Sequence, residues 1–411
     1  MTNPRPGDGS PAAQPASGPS AVPPIRSRER MLIFGSPLIE DDEIQEVVAT
    51  MRAGWLGTGP KVAAFEKQFC DYVGGGQAVG VNSCTAALHL ALVGCGVGPG
   101  DEVITTPMTF CATVNAIVHA GATPVLADVD PRTMNIDPRR IEERITSRTR
   151  VVLPVHFAGR ACDMTTITGL AQKHGLRLVE DCAHSIETTH RGRHVGTFGD
   201  YGCYSFYVTK NIITGEGGMV VCSQEKSDRI RILSLHGMDR DAWKRFGGQG
   251  YRHYQVVECG FKYNMMDLQA AIGIHQLRRI DQCWQRRRDI WARYQREFAD
   301  LAIELPAEPD QDSRHAYHLY TILIDGDAAG IDRDRFLEAM TADGIGVGVH
   351  YVSLPEHEWY QQRFGWVPTD YPHALRIGRQ TVSLPISAKL TDEDVDDVVR
   401  GVRKHIAQRS R

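Results

Sequence analysis

The chain has 411 residues, of which 42% are hydrophobic and 23% are charged, a composition that is ordinary for a folded globular protein. Its formal net charge of −4 at pH 7 gives no general attraction to nucleic acid or to an anionic membrane surface. No uninterrupted apolar run approaches the ~20 residues that a transmembrane helix requires. We therefore expect neither a nucleic-acid-binding protein nor a membrane protein.

The first thirty residues are rich in Pro, Ala, Ser and Gly and contain no long apolar stretch. This composition predicts a disordered tail and not a signal peptide. The ten cysteines are scattered, and no two of them form a Cys-x-x-Cys pair. That pattern is typical of the reduced thiols of a cytoplasmic enzyme, and it favours neither a disulfide framework nor a metal site.

Residues 41–52 have helical periodicity ending at Gly54, and a second helix is predicted through Phe65 and Phe69. Short apolar runs then alternate with helical stretches. Strands are predicted at 78–81, 102–105, 123–127, 151–155 and 177–180, and helices from 85, near 112–120, near 138–145 and at 164–174. Strands without in/out alternation, separated by helices, indicate an α/β fold with a parallel sheet covered on both faces.

The pattern changes near residue 195. Residues 200–208 and 219–223 are predicted to form neighbouring strands joined by a glycine-rich turn, and 265–301 to be helical. The remainder combines apolar runs at 317–324 and 346–351 with helices at 332–342 and 392–405. We predict a disordered tail at 1–30, a large and mostly parallel sheet domain at 31–285, and a smaller α+β domain at 286–411.

Polar residues follow several of the predicted strands, where ligands gather in an open parallel sheet. Ser83 follows the first strand, and Thr85 and Ala86 open the next helix. Free backbone N–H groups at a helix N-terminus favour phosphate binding. The alternative interpretation is an ordinary N-cap, for which Ser and Thr are also preferred.

Three further residues suit one cofactor. Asp181 ends the strand at 177–180, where a carboxylate either caps the next segment or holds a protonated ring nitrogen. Lys210 follows the strand that contains Ser205; it is either a solvated loop side chain or a buried amine that can form an imine with an aldehyde. Phe110 offers a flat face to a ring. A phosphate cradle, an aromatic, an acid and a lysine, in this order along the chain, together predict pyridoxal phosphate.

Several segments resemble the DegT/DnrJ/EryC1/StrS family of sugar aminotransferases, and the resemblance covers the chain from about residue 31 to the C-terminus. The segments that carry it are Gly54-Trp55-Leu56-Gly57-Thr58-Gly59-Pro60, Asn82-Ser83-Cys84-Thr85-Ala86-Ala87-Leu88-His89-Leu90, Glu180-Asp181-Cys182-Ala183-His184, Ser205-Phe206-Tyr207-Val208-Thr209-Lys210-Asn211 and Gly215-Glu216-Gly217-Gly218. The resemblance implies a pyridoxal-phosphate enzyme of fold type I that works as a homodimer with shared active sites.

The same resemblance implies a role for each matching residue. Lys210 corresponds to the Schiff-base lysine, Asp181 to the partner of the pyridine nitrogen, and His184 to a residue near the phenolic oxygen. Phe110 corresponds to the stacking aromatic. The residues matching phosphate contacts are Thr85, Ala86 through its backbone N–H, Ser205 and, reaching the partner subunit's cofactor, Asn264. At the last position many family members carry Arg.

The implied reaction moves an amino group from an amino acid, by resemblance glutamate, to a nucleotide-linked keto sugar, with a 4-keto-6-deoxyhexose expected first. A 3-keto sugar and a cyclitol ketone remain alternatives, as does a regulatory relative that binds the cofactor without turnover. Related dehydratases carry His at the lysine position, so Lys210 argues against that activity. A nicotinamide oxidoreductase would need a glycine fingerprint that the sequence lacks.

Overall fold

The computed structural model describes residues 25–26, 31–239 and 253–408. The tail predicted at 1–30 therefore lies almost wholly outside the described residues. The described strands are β1 (Gln77–Val81), β2 (Glu102–Thr105), β3 (Thr123–Leu126), β4 (Thr149–Val152), β5 (Arg177–Asp181), β6 (Thr189–His190), β7 (Arg193–His194), β8 (Tyr201–Ser205), β9 (Gly218–Cys222), β10 (Ser313–Arg314), β11 (Tyr320–Leu323) and β12 (Thr381–Leu384).

The helices agree closely with the periodicity of the sequence. They are α1 (Asp41–Ala53), α2 (Pro60–Val73), α3 (Cys84–Gly94), α4 (Cys111–His119), α5 (Pro138–Glu143), α6 (Met164–His174), α7 (Gln224–Ser234), α8 (Asp267–Arg278), α9 (Ile280–Glu297), α10 (Gly326–Ala329), α11 (Arg333–Ala342), α12 (Glu358–Phe364), α13 (Pro372–Gln380) and α14 (Asp392–His405). The predicted end of α1 at Gly54 is confirmed, because Gly54 adopts the left-handed conformation with φ of 75°.

The main sheet of the described chain has seven strands in the order β1-β9-β8-β5-β4-β2-β3. The pairs from β8 to β3 are parallel, whereas β9 runs antiparallel to both β1 and β8. The predicted α/β fold with a mostly parallel sheet is therefore confirmed. All five residues of β8 and of β9 are buried, which explains why their sequences show no alternation of polar and apolar side chains.

The C-terminal part packs around its own core. Tyr294 of α9 and Phe298, the C-cap residue of α9, contact Tyr320 of β11, and the same cluster includes Phe336 of α11. The predicted boundary at 285/286 falls inside α9, and the division into two domains stays a prediction.

Within the described ranges, residues 346–351 form a loop with a single bridge, Gly348 to Ser383, and not a strand. Among the residues that the structure describes, every helix is too short or too polar to span a lipid bilayer.

Candidate active site

A cavity of about 510 Å³ lies where β1, β5 and β8 end at the same edge of the main sheet. This is the edge at which the strand-end residues were expected to meet. The structure brings together six residues predicted from the sequence, which come from four separate segments of the chain. They are Thr85, Phe110, Asp181, His184, Ser205 and Lys210.

Gly218 of β9 explains why distant segments meet here. It pairs with Val81 at the end of β1 and with Ser205 at the end of β8. A β-carbon at Gly218 would lie 2.6 Å from the carbonyl carbon of Ser83. Only glycine permits this approach, because the obstructing atoms belong to the backbone. The close contact places Ser205 beside the turn that opens α3.

That turn is an N-cap. The Oγ atom of Ser83 accepts a hydrogen bond of 3.1 Å from the backbone N–H of Ala86. The capping interpretation of the sequence is therefore confirmed for Ser83. Thr85 faces the cavity, whereas Ala86 is buried and its N–H is engaged by the cap. The contacts of Thr85 and Ala86 with a phosphate stay predictions.

Asp181 is the last residue of β5, and its side chain is almost fully buried at the base of the cavity. Its carboxylate accepts a hydrogen bond of 2.8 Å from the hydroxyl of Thr113 and one of 3.1 Å from the backbone N–H of Ala183. Burial raises the pKa of Asp181, while these two donors and the nearby Lys210 oppose the rise. The arrangement is a buried acceptor that a cationic ring nitrogen would satisfy.

Lys210 lies in a turn that its backbone N–H closes onto the carbonyl of Tyr207, at 2.8 Å. Its side chain lines the cavity. Burial lowers the pKa of the Lys210 amine from 10.5 to about 8, although Cys84 and Asp181 nearby act in the opposite direction. The interpretation of Lys210 as an ordinary solvated lysine is therefore wrong. A desolvated amine loses its proton readily and becomes a nucleophile near neutral pH.

The hydrogen bonds of His184 define one tautomer. Its Nδ1 atom accepts from the backbone N–H of Ala158 at 3.3 Å, and its Nε2 atom lies 3.0 Å from the hydroxyl of Tyr351. An Nδ1 that accepts leaves the proton on Nε2, so His184 donates to Tyr351. Burial, first of all, holds the pKa of His184 well below its usual value, which agrees with a neutral ring.

The mouth of the cavity is aromatic. Phe110 is 58% exposed there, and its ring centre lies 6.0 Å from that of Tyr351. His350 also lines the cavity, and its Nδ1 atom lies 2.9 Å from the hydroxyl of Ser383. Burial lowers the pKa of His350 to about 4. The large sheet thus forms one wall of the cavity, and the loop before α12 forms the other.

Asn264 is not part of this cavity. Its Nδ2 atom donates to the hydroxyl of Thr58 at 2.7 Å, and both residues line a separate surface cavity of about 630 Å³. This cavity is mainly apolar, and Trp55 at its edge is 48% exposed. Within one subunit, therefore, the structure does not bring Asn264 to Lys210.

Thr113 and Cys84 are two cavity residues that the predicted strand ends do not indicate. Both lie in the first turn of a helix, α4 and α3 respectively, and both line the cavity. Thr113 follows Phe110 by one helical turn, so helical spacing from Phe110 was the available signal. Cys84 had no comparable signal, because a cysteine at this position resembles any buried apolar residue.

The cavity fits pyridoxal phosphate. Its volume is in the range of small-molecule sites, and it combines a desolvated lysine, a buried carboxylate, a helix N-terminus and an exposed aromatic ring. Together with the seven-stranded sheet, these residues define a pyridoxal-phosphate-dependent transferase of fold type I.

Comparison with known proteins identifies the family. A model of the DegT/DnrJ/EryC1/StrS aminotransferase family matches residues 37–403. The spore coat polysaccharide biosynthesis protein SpsC of Bacillus subtilis is 48% identical over 381 residues, covering 92% of this chain and 98% of SpsC. The chain belongs to the DegT/DnrJ/EryC1/StrS family and is a pyridoxal-phosphate-dependent sugar aminotransferase.

Two solved structures show the same fold. "Putative sugar aminotransferase Spr1654" of Streptococcus pneumoniae, in its pyridoxal-phosphate form, has a TM-score of 0.85 and 34% identity, with coverage of 91% of this chain and 98% of that one. PseC of Helicobacter pylori, an aminotransferase involved in the biosynthesis of pseudoaminic acid, has a TM-score of 0.85 and 27% identity, with coverage of 92% and 99%.

Proposed function

We propose that the enzyme transfers the amino group of glutamate to a nucleotide-linked keto sugar, with a 4-keto-6-deoxyhexose as the acceptor. The observation that carries the proposal is the desolvated Lys210 amine in one cavity with the buried carboxylate of Asp181. The relatives support the sugar class, since SpsC is a spore coat polysaccharide biosynthesis protein and Spr1654 is described as a putative sugar aminotransferase.

Pyridoxal phosphate, when bound, supplies an electron sink for the bonds that break at the substrate carbon bearing the amine. In the proposed reaction Lys210 would hold the cofactor through its side-chain amine. The same amine, once free, would take up the proton from the substrate carbon and return it. A pKa of about 8 suits this role, because both the neutral and the protonated amine are populated near neutral pH.

The other residues are proposed to hold and orient the cofactor. Asp181 keeps the ring nitrogen protonated, and Thr113 fixes the direction of its carboxylate through the 2.8 Å hydrogen bond. Phe110 would offer its face to the cofactor ring, and His184 would serve the side of the ring that carries the phenolic oxygen; both residues line the cavity. Residues proposed to hold the phosphate are Thr85, Ala86, Ser205 and, from the partner subunit, the equivalent of Asn264.

A homodimer is part of the proposal. Three large apolar side chains near Asp267 are exposed: Trp55 is 48% exposed, and Leu56 and Met266 are each 44% exposed. Met266 precedes Asp267, and Leu56 precedes Gly57, whose carbonyl accepts a hydrogen bond from the backbone N–H of Asp267. An apolar patch of this kind beside an apolar cavity is typical of a surface covered by another protein. Asn264 borders the same cavity, which supports its proposed reach into the second subunit.

We also infer a cytoplasmic location, since all ten cysteines are free thiols.

The test of the reaction is incubation with glutamate and a panel of nucleotide-linked sugars carrying a 4-keto or a 3-keto group, together with a cyclitol ketone. Mass spectrometry and NMR identify the aminated product. Lys210→Ala should abolish turnover and the borohydride-reducible link to the cofactor. Lys404→Ala is the matched control, because Lys404 of α14 pairs with Asp343. This variant should retain both the turnover and the link to the cofactor. Normal turnover by Lys210→Ala would refute the scheme.

Shared active sites predict complementation between two inactive variants. Lys210→Ala and Asn264→Asp are unfolded together and refolded so that mixed dimers form. If Asn264 serves the partner's cofactor, the mixed dimer contains one intact site, and activity reappears. If Asn264 acts in its own subunit, neither site of the mixed dimer is intact, and the activity does not recover.

A further inference from the structure

The side chain that follows the active-site lysine is fixed by a buried acid. Asn211 is buried, and its Nδ2 atom lies 2.9 Å from both carboxylate oxygens of Glu187 and 2.9 Å from the carbonyl of Ala316. Its Oδ1 atom accepts from Nδ1 of His318 at 2.9 Å. Every polar atom of the Asn211 side chain is therefore engaged. A side chain held on all sides fixes the backbone that carries it.

Glu187 is fully buried in the loop that follows β5, six residues after Asp181. Arg287 of α9 is its counter-ion, with its Nη1 atom 3.9 Å from the Glu187 carboxylate. Arg314 also contributes positive charge nearby. Burial raises the pKa of Glu187, while the charge of Arg287 and the hydrogen bond from Asn211 oppose the rise.

We propose that Glu187 is a positioning residue for Lys210: by fixing Asn211 it holds the lysine in the desolvated cavity opposite Asp181. This inference rests on the proposed role of Lys210 in catalysis. Glu187 does not line the cavity that contains Lys210, and it acts on Lys210 through the neighbouring residue. The hydrogen bonds of Asn211 to Glu187 and Ala316 also join the loop after β5, the lysine turn and the segment around Ala316 into one rigid unit.

The orientation of the Asn211 amide also sets the direction of its hydrogen bond with His318. Because Nδ2 of Asn211 faces three carbonyl or carboxylate oxygens, its Oδ1 must face His318, and His318 must carry its proton on Nδ1. The ring of His318 lies 4.5 Å from that of His184, which lines the cavity. Asn211 therefore fixes the tautomer of the ring that packs behind His184.

The proposal predicts the pKa of the lysine amine in the protein freed of cofactor. Competitive labelling with acetic anhydride between pH 6 and 11, followed by mass spectrometry of the Lys210 peptide, gives that pKa directly. Glu187→Ala should raise it by about one unit, because a loosened turn exposes the amine to water. Of the two buried carboxylates, Asp181 acts on the Lys210 amine and Glu187 does not. Removing the Glu187 charge would therefore not raise the lysine pKa by itself.

Conservative substitution and a matched control separate positioning from a general loss of stability. Glu187→Gln keeps one oxygen that accepts from Asn211, so the lysine pKa should return close to the wild-type value. Asp397 of α14 is another fully buried carboxylate, and it pairs with Arg26. Asp397→Ala removes that carboxylate and should leave the lysine pKa unchanged. If Glu187→Ala does not fold, Asn211→Ala removes the same link and should produce the same upward shift.

The holoenzyme gives a second readout, since the visible absorbance of the lysine-bound cofactor can be titrated with pH. A shifted midpoint in Glu187→Ala, with wild-type behaviour in Asp397→Ala, supports the proposal. A wild-type midpoint in Glu187→Ala and Asn211→Ala, or an equal shift in Asp397→Ala, would overturn it. A cofactor link that survives in Lys210→Ala would instead overturn the proposed function, so the two failures are distinguishable.

Discussion

Replacing Lys210 should make the cofactor-free protein more stable, although it destroys the proposed reaction. Burial lowers the pKa of the amine from 10.5 to about 8. At about 1.4 kcal/mol per pKa unit, keeping the amine protonated in the folded state costs about 3 kcal/mol. Methionine has a similar unbranched shape without the charge. We therefore expect Lys210→Met to raise the free energy of unfolding at pH 7 by about 3 kcal/mol.

The sign of the pH dependence follows from the lowered pKa. Between pH 8 and 10.5 the unfolded chain holds the lysine proton and the folded chain does not, so wild-type stability rises with pH. The advantage of Lys210→Met is thus complete below pH 8 and disappears as the pH approaches 10.5. At pH 9.5 it should have fallen to about 1 kcal/mol.

Urea unfolding at pH 7.0 and 9.5, followed by circular dichroism, measures both values. Equal protein concentrations are needed, because association stabilises the folded state. Lys404→Met is the control, since that side chain is 52% exposed and pairs with Asp343. A Lys210→Met protein that is no more stable than wild type at pH 7, or that gains equally at both pH values, would refute the reasoning.

Three further substitutions test the cavity. Asp181→Asn should reduce turnover by roughly 100-fold, because the ring nitrogen loses the charge that keeps it protonated, and steady-state kinetics measure the loss. Phe110→Ala should weaken cofactor binding about 3- to 10-fold through lost ring stacking, as measured by equilibrium dialysis. Gly218→Ala should lower stability by about 1–3 kcal/mol, since its β-carbon would collide with the backbone of Ser83, and chemical unfolding measures that change. Unchanged behaviour in any of the three would contradict the proposed role of that residue.

Periodicity predicted most of the fold because the strands and helices are consistent with their local sequence. The predicted strand at 102–105 and the predicted helices at 164–174 and 392–405 coincide with β2, α6 and α14. The chain at 346–351 differs, since its apolar residues pack as an irregular loop held to Ser383 by one bridge. Apolar runs indicate burial, and they do not by themselves distinguish a buried loop from a strand.

The candidate site was predictable where chemistry coincides with strand ends, as at Asp181 and Lys210. The supporting contacts were not predictable, because they join segments that are distant in sequence. Glu187 reaches Asn211 only after the loop beyond β5 has folded against the lysine turn. The structure of a single chain cannot place Asn264 next to its proposed ligand, because that ligand is the cofactor phosphate of the partner subunit.

The antiparallel strand β9 also affects when the cofactor can help the chain to fold. It pairs Gln77 with Cys222 and separates β1 from β8, so the edge of the cavity is incomplete until residue 222 has been synthesised. Contacts between such distant positions form slowly during folding. A ribosome-bound chain that ends before β9 therefore has no complete site for pyridoxal phosphate. Because His350 and Tyr351 also line the cavity, stabilisation by the cofactor is complete only after residue 351 has been synthesised.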